Sequence, residues 1–188
     1  MHDYQILLDT VRQSFASVVW THKIQEKQAD IYSEQYSCME TINIIMASLS
    51  SCGIISLISN FDPIIVKILT CVASFATLAI TAYFKSFDLK GKERLHKDAA
   101  NSFIVIRNEL IQIIGEIHMH NKEVSSINEE YCKIMDRLNS LYLTAPSASN
   151  AAVKRASKAL GEDREYTYSD EEIDRFLPHS LRGRVEID

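Results

Sequence analysis

Apolar and polar positions are arranged in two ways along this chain: in the flanks they recur every three or four residues, and in the middle apolar residues occupy every face. From Thr41 to Phe61 there are 21 residues without a charge, Asp62-Pro63 interrupts, and Ile64–Phe84 adds 21 more whose single charge is Lys67. A bilayer core about 30 Å thick takes roughly 20 helical residues to cross, and a helix satisfies its backbone hydrogen bonds internally. The two runs predict a transmembrane hairpin, 41–61 and 64–84, with Pro63 in the first turn of the second helix. Before it, Tyr4, Leu8, Val11, Phe15, Val18, His22, Gln25, Ala29, Tyr32, Tyr36 and Met39 alternate by 4 and 3. After it, Phe103, Ile106, Leu110, Ile113, Ile117, His120, Val124, Ile127, Tyr131, Ile134, Leu138 and Leu141 alternate by 3 and 4. A 3.5-residue repeat of this length indicates long helices packed as in a coiled coil.

The predicted fold is an all-α membrane protein: a two-helix transmembrane hairpin with long cytoplasmic coiled-coil-like helices before and after it. Its segments are an N-terminal helix over 1–40, the hairpin over 41–84, a helical segment over 85–143, a linker over 144–168 and a capped helix with tail over 169–188. If both flanking helices run straight from the membrane, Val18 lies near Arg107 and the chain start near Val124. The seam Val124, Ile127, Tyr131, Ile134, Leu138 and Leu141 then outruns its partner. It either folds back at Gly115 or Asn121, meets the C-terminal segment, or pairs with another subunit, which is the expectation preferred here because a bare apolar seam is disfavoured in water.

Within the second span, Lys67, Thr70, Ser74, Thr77 and Thr81 share one helix face. In the first, Ser48, Cys52 and Ser56 (with Ser59) lie close to a single face. Small hydroxyl residues permit close helix packing, and the same stripes could line a lumen; the spacing serves either. Lys67 is near enough to the span end to snorkel. Lys85, Lys90, Lys92, Arg94 and Lys97 follow the second span, which by the positive-inside bias places both termini in the cytoplasm. A nucleotide-binding role for this collar is a weaker alternative, because topology alone accounts for it.

Charge and candidate chemistry narrow the function. A net charge of −5 argues against a nucleic-acid-binding role. Cys38, Cys52, Cys71 and Cys132 form no CxxC pair and read as free thiols. His118 and His120 point about 200° apart on a helix, so they share no metal ion without outside ligands. There is no phosphate-binding glycine loop, HExxH or Gly-x-Ser-x-Gly. The expectation is no enzyme, no cofactor and no metal. Near the end, Ser169-Asp170-Glu171-Glu172 forms a capping box, opening a short docking helix with Ile173, Phe176 and Leu177 on one side.

The order of elements resembles the SLATT family, small two-span proteins of bacterial conflict systems. The residues carrying the resemblance are Trp20-Thr21-His22-Lys23 with Glu26, Leu95-His96-Lys97-Asp98-Ala99-Ala100 with Ile106-Arg107, and Ser169–Ile173 running into Phe176-Leu177-Pro178. The resemblance implies an effector of antiviral defence in the bacterial inner membrane. Its implied partners are lipid, further copies of the chain, and a nucleotide second-messenger synthetase, SLOG-type sensor or reverse transcriptase system. A signal such as a cyclic oligonucleotide would trigger pore formation or membrane disruption. The alternative is a passive anchor that recruits a cytoplasmic partner.

Overall fold

The computed structural model describes residues 2–58, 64–166 and 169–176, and the order of its helices is α1 (His2–Ile58), α2 (Ile64–Phe87), α3 (Leu89–Met119), α4 (Val124–Thr144), α5 (Asn150–Gly161) and α6 (Asp170–Phe176). No strand occurs among the described residues. The Asp62-Pro63 turn, Ser59 and Leu177 lie outside them, as does the side chain of Ser56.

Helix α1 passes without interruption through the expected boundary at residue 40 and holds 57 residues. At 1.5 Å per residue it is about 85 Å long, far more than a bilayer core. Its first part is amphipathic and its last part apolar on all sides, so one helix serves both an extramembrane bundle and a membrane span. The pairs Ser50–Ser74, Tyr36–Phe84 and His22–Ala100 show that α2 and then α3 run antiparallel to it. All eleven positions of the N-terminal seam are buried or half-buried, as a 3.5-residue repeat requires.

In the hairpin, Gly53 and Ala73 are buried where the helices touch. A Cβ on Gly53 would lie 1.7 Å from Thr70 Oγ1, so glycine sets the closeness of this crossing. Ser74 donates to Ser50 Oγ at 3.2 Å across the same contact. Most other span hydroxyls bond their own helix: Ser48 to Ile44 O, Thr77 to Ala73 O and Thr81 to Thr77 O. The apolar side chains face outward, with Ile64 71 % and Phe75 73 % exposed. A water-soluble domain buries such residues; here the outward face has to be covered by lipid or by another span.

Between α2 and α3, Asp88 takes left-handed backbone angles (φ 40°, ψ 57°) and accepts from the Gly91 N–H. A Cβ on Gly91 would lie 2.1 Å from Asp88 Oδ2, so a larger residue there would push the capping carboxylate aside. The second flank therefore begins with a break that α1 lacks.

The seam from Val124 to Leu141 is not a free intersubunit face. His120 adopts left-handed angles (φ 53°) that end α3, and α4 folds back. Tyr4 donates to Lys122 O at 2.7 Å, fixing the turn against the start of α1. Ile127 and Leu138 are 0 % and 1 % exposed, Tyr131 and Ile134 are buried, and Val124 and Leu141 pack at the edge of the same core. They meet Leu8, Val11 and Val18 of α1 and Phe103, Ile106 and Leu110 of α3 in one cluster. A third helix covers what two paired seams leave open, so the expected subunit partner is supplied by the chain itself. Asn121 lies in the turn, whereas Gly115 is interior to α3.

The expected linker over 144–168 contains α5. Ser149 caps it, accepting from Ala152 N at 3.3 Å. Ala152, Ala156 and Ala159 are buried on the face of α5 that packs on α1, and Arg155 holds Glu34 by two contacts of 2.7 and 2.8 Å.

Two outcomes check this arrangement. Leu138→Ala should cost about 2–5 kcal/mol, read by denaturant unfolding, with no dependence on protein concentration; a concentration-dependent midpoint would return the seam to an intersubunit role. Cysteines placed at 50 and 74 should cross-link with oxidant within one chain, and Gly53→Leu should suppress that cross-link by separating the helices.

Candidate functional site

The polar residues of the extramembrane bundle gather where α1, α3 and the segment following α5 meet. On α1, His22, Lys23, Gln25 and Gln28 are 1–5 % exposed, and on α3 His96 is 3 % exposed. Charged and polar groups buried this deeply need partners, and each has one. Lys23 Nζ contacts Glu26 Oε2 at 2.7 Å and Glu165 Oε2 at 2.5 Å, and lies 4.2 Å from the centroid of the Tyr166 ring. His22 Nδ1 donates to Ala100 O at 2.8 Å, and its Nε2 lies 2.6 Å from the Tyr166 hydroxyl. That hydroxyl donates to Glu26 Oε2 at 2.8 Å. Arg107 covers the Tyr166 ring at 5.1 Å, and Lys27 reaches Glu165 Oε1 at 3.4 Å.

A second layer ties this centre to α5. His96 Nδ1 donates to Gln25 Oε1 at 2.5 Å, and Gln25 Nε2 donates to Pro146 O at 2.9 Å. Gln28 Oε1 accepts from Ser149 N at 2.8 Å. The N-cap of α5 is thereby positioned by a side chain of α1.

The electrostatics follow from this packing. Burial works against the Lys23 ammonium, but its hydrogen bonds to Glu165, Glu26 and Tyr166 outweigh that and hold its pKa above the usual lysine value. Burial would raise Glu26, yet Lys23 and Tyr166 bring it below the usual carboxylate range. Contact with Lys23 lowers Glu165 as well. Desolvation lowers His22 despite the opposing effects of the Ala100 carbonyl and Glu26, and it lowers His96 as well. Beside the network lies a cleft of about 320 Å³ between α1 and α3, with Ala29, Ala100 and Ile104 among its apolar walls and Glu26, Asp30 and Lys97 among its polar ones.

The residues singled out before and after the hairpin therefore converge: His22, Lys23, Glu26, His96, Ala100 and Arg107 share one site, and Lys97 lines its cleft. Trp20 does not join them and is 39 % exposed. Gln25, Gln28, Glu165 and Tyr166 were not expected there, and the two glutamines at least carried a signal in their three-residue spacing beside the His22–Glu26 turn. The polar stripes divide. Thr70 and Thr77 lie half-buried, whereas Lys67, Ser74, Thr81, Ser48 and Cys52 are exposed. Among the described residues of the first span the half-buried hydroxyl is that of Ser50, off the predicted face. At the C-terminus Ser169 and Glu172 cap reciprocally, Ser169 N to Glu172 Oε2 at 2.8 Å and Glu172 N to Ser169 Oγ at 3.3 Å. Ile173 and Phe176 are exposed at 44 % and 81 %. Among the described residues no three His, Cys, Asp or Glu side chains are grouped to hold a metal ion.

All-helical among the described residues, with two helices long and apolar enough to span a membrane and an extramembrane bundle holding a buried ion-pair network, the molecule is a two-span membrane protein. Over residues 7–172 it matches the SMODS and SLOG-associating 2TM effector domain family 4, and it belongs to that family. The family links the chain to SMODS- and SLOG-containing conflict systems as their two-span effector. No curated protein and no solved structure matches it.

The two histidines make the bundle sensitive to acid. Their folded pKa values lie below the ordinary 6.5, so in that interval the unfolded chain binds more protons and stability rises with pH. The stability present above pH 6.5 should be lost progressively as pH falls through the folded values. Thermal melting between pH 7.5 and 5 should show this slope, and His96→Gln should reduce it.

Proposed function

We propose that this chain is a non-enzymatic effector of bacterial antiviral defence, which assembles in the inner membrane and opens a pore or disrupts the bilayer when a partner system signals infection. A cyclic oligonucleotide from a second-messenger synthetase is one such signal, and a SLOG-type sensor another source of it. Both termini would be cytoplasmic, since Lys85, Lys90 and Lys92 flank the second span. Lys90 lies 4.2 Å from the centroid of the Tyr36 ring and Lys92 lies 5.6 Å from that of Phe87, a basic and aromatic girdle suited to the membrane interface.

The observation that carries this reading is the outward position of Ser74 and Thr81 on α2 and of Ser48 and Cys52 on α1. These groups lie on the surface that neighbouring hairpins or lipid would meet. Since α4 is covered within the chain, assembly would run through the spans. Small and hydroxyl side chains favour close contacts between membrane helices, and a ring of such contacts places hydroxyls along a shared axis.

The passive-anchor reading has one observation in its favour, the exposed Ile173 and Phe176 on the capped α6. An anchor that recruits a partner would depend on these side chains and hardly at all on the stripe.

Leakage from dye-loaded liposomes separates the two. Ser74→Leu should abolish triggered leakage while the protein still inserts. Ser50→Ala removes the same interhelical hydrogen bond without changing the outward face, and should retain leakage. Leakage unaffected by Ser74→Leu would remove the stripe from the mechanism, and dependence on Ile173 and Phe176 alone would favour the anchor.

A further inference from the structure

The segment closing the ion-pair network is held in an unusual way. Arg164 and Tyr166 both take left-handed backbone angles, φ 50° and 76°, which non-glycine residues seldom adopt. Among the described residues, Glu165 and Tyr166 are held by the Glu165 N–H on Ala159 O at 2.9 Å and by their side chains. One supplies a carboxylate between Lys23 and Lys27, and the other an aromatic ring faced by Lys23 and Arg107. We infer that these two residues fill a ligand site from within the chain, and that the ligand they stand in for is a nucleotide. Its phosphate would take the place of the Glu165 carboxylate and its base the place of the Tyr166 ring.

Three observations lead to this class. First, withdrawing Glu165 leaves the cations Lys23, Lys27, Lys97 and Arg107 around the seat and its cleft against three carboxylates, Glu26, Asp30 and Glu93, an excess of one positive charge. Lys23 is 1 % exposed, and a buried ammonium that loses a partner is strongly destabilised unless another anion replaces it. Second, the ring lies under two cations, and an arginine guanidinium stacks on planar π-systems while also favouring phosphate. A simple anion would leave that half of the seat empty. Third, the seat opens directly into the cleft of about 320 Å³, to which Tyr166 itself contributes a wall. Drug-sized ligands occupy pockets of about 300–1,000 Å³, so the cleft together with the vacated ring position has room for a nucleoside. The hydroxyl of Ser33, the amide of Asn101 and the ammonium of Lys97 line that cleft and make no hydrogen bond to the described residues, leaving them to a sugar or a base edge.

The binding of a nucleotide would displace Glu165 and Tyr166 from their contacts with α1 and α3. Its consequence in the membrane rests on the effector reading above; the binding itself does not.

The test uses the full chain in nanodiscs and isothermal titration with four probes: AMP and the linear dinucleotide pApA, and inorganic phosphate and adenosine, each of which offers only one half of the chemistry. AMP or pApA should bind, and the separate halves should bind at least about tenfold more weakly, a 1.4 kcal/mol difference. Tyr166→Ala vacates the ring half of the seat, leaving Glu165 as the one occupant to displace, and should tighten AMP binding by about tenfold. Lys27→Gln, at a partly exposed position that should leave folding intact, should weaken it by a similar factor. Failure of every nucleotide to bind both the wild type and Tyr166→Ala would overturn the site and leave a purely structural ion-pair network. Phosphate binding as tightly as AMP would overturn the aromatic half, and unchanged affinity in Lys27→Gln would overturn the placement. Liposome leakage is read separately. Binding without leakage counts against the effector reading alone, and leakage on another trigger without nucleotide binding counts against the site alone.

Discussion

Every other long element in this molecule is laid against α1, and its continuity is the constraint from which the rest follows. Because the helix does not break at the membrane boundary, the register it imposes on α2 also fixes the register of α3 beyond it. The contact of Ser50 with Ser74 and that of His22 with Ala100 belong to one antiparallel run. α4 then fits into the remaining groove over the apolar half of α1, and α5 over its alanine-sized gap. In a folded protein most of a helix's stability comes from packing its amphipathic face, and α1 packs that face along its whole extramembrane part. The buried seam and the ion-pair centre are thus two stretches of one interface that differ in chemistry.

That difference has a physical logic. The distal stretch, around Val11, Leu110 and Leu138, is apolar and gains stability without directional demands. The stretch nearer the membrane buries Lys23, two histidines and two glutamines, each matched to a particular acceptor or donor. Replacing such a network by apolar residues often raises stability, so its presence here is better explained by selectivity for what closes it. Glu165 and Tyr166 do so from the far end of the chain, 142 residues from Lys23 in the first case.

Much of this was legible in the residues, and the omissions have identifiable causes. The spans and the N-terminal seam follow from hydrophobic period and length, which are local properties. The fold-back of α4 was open because a 3.5-residue seam has the same appearance whether its partner is the same chain or another copy. The break at His120–Glu123 decides it, through a left-handed residue that leaves no mark in the periodicity. α5 went unseen because its buried face is Ala152, Ala156 and Ala159, side chains too small to register as an apolar stripe, although Ser149 was available as a cap. The site was visible in halves. His22, Lys23 and Glu26 on one side of the hairpin and His96, Ala100 and Arg107 on the other could be singled out, but their meeting depends on the antiparallel register of α1 and α3, which neither half states alone. Tyr166 sits in a charged stretch whose spacing refers to nothing nearby.

The asymmetry between the two strands leaving the membrane has a mechanical side. One is an uninterrupted shaft. The other carries a one-residue joint at Asp88, whose carboxylate accepts from Gly91 N and whose carbonyl accepts from Lys92 N at 3.0 Å. A twist applied to the bundle would therefore be passed to the first span almost undiminished, while the second could stay behind by turning at that joint. Two helices in one hairpin that respond differently to the same torque slide against each other, and Gly53 and Thr70 are the teeth they would slide across.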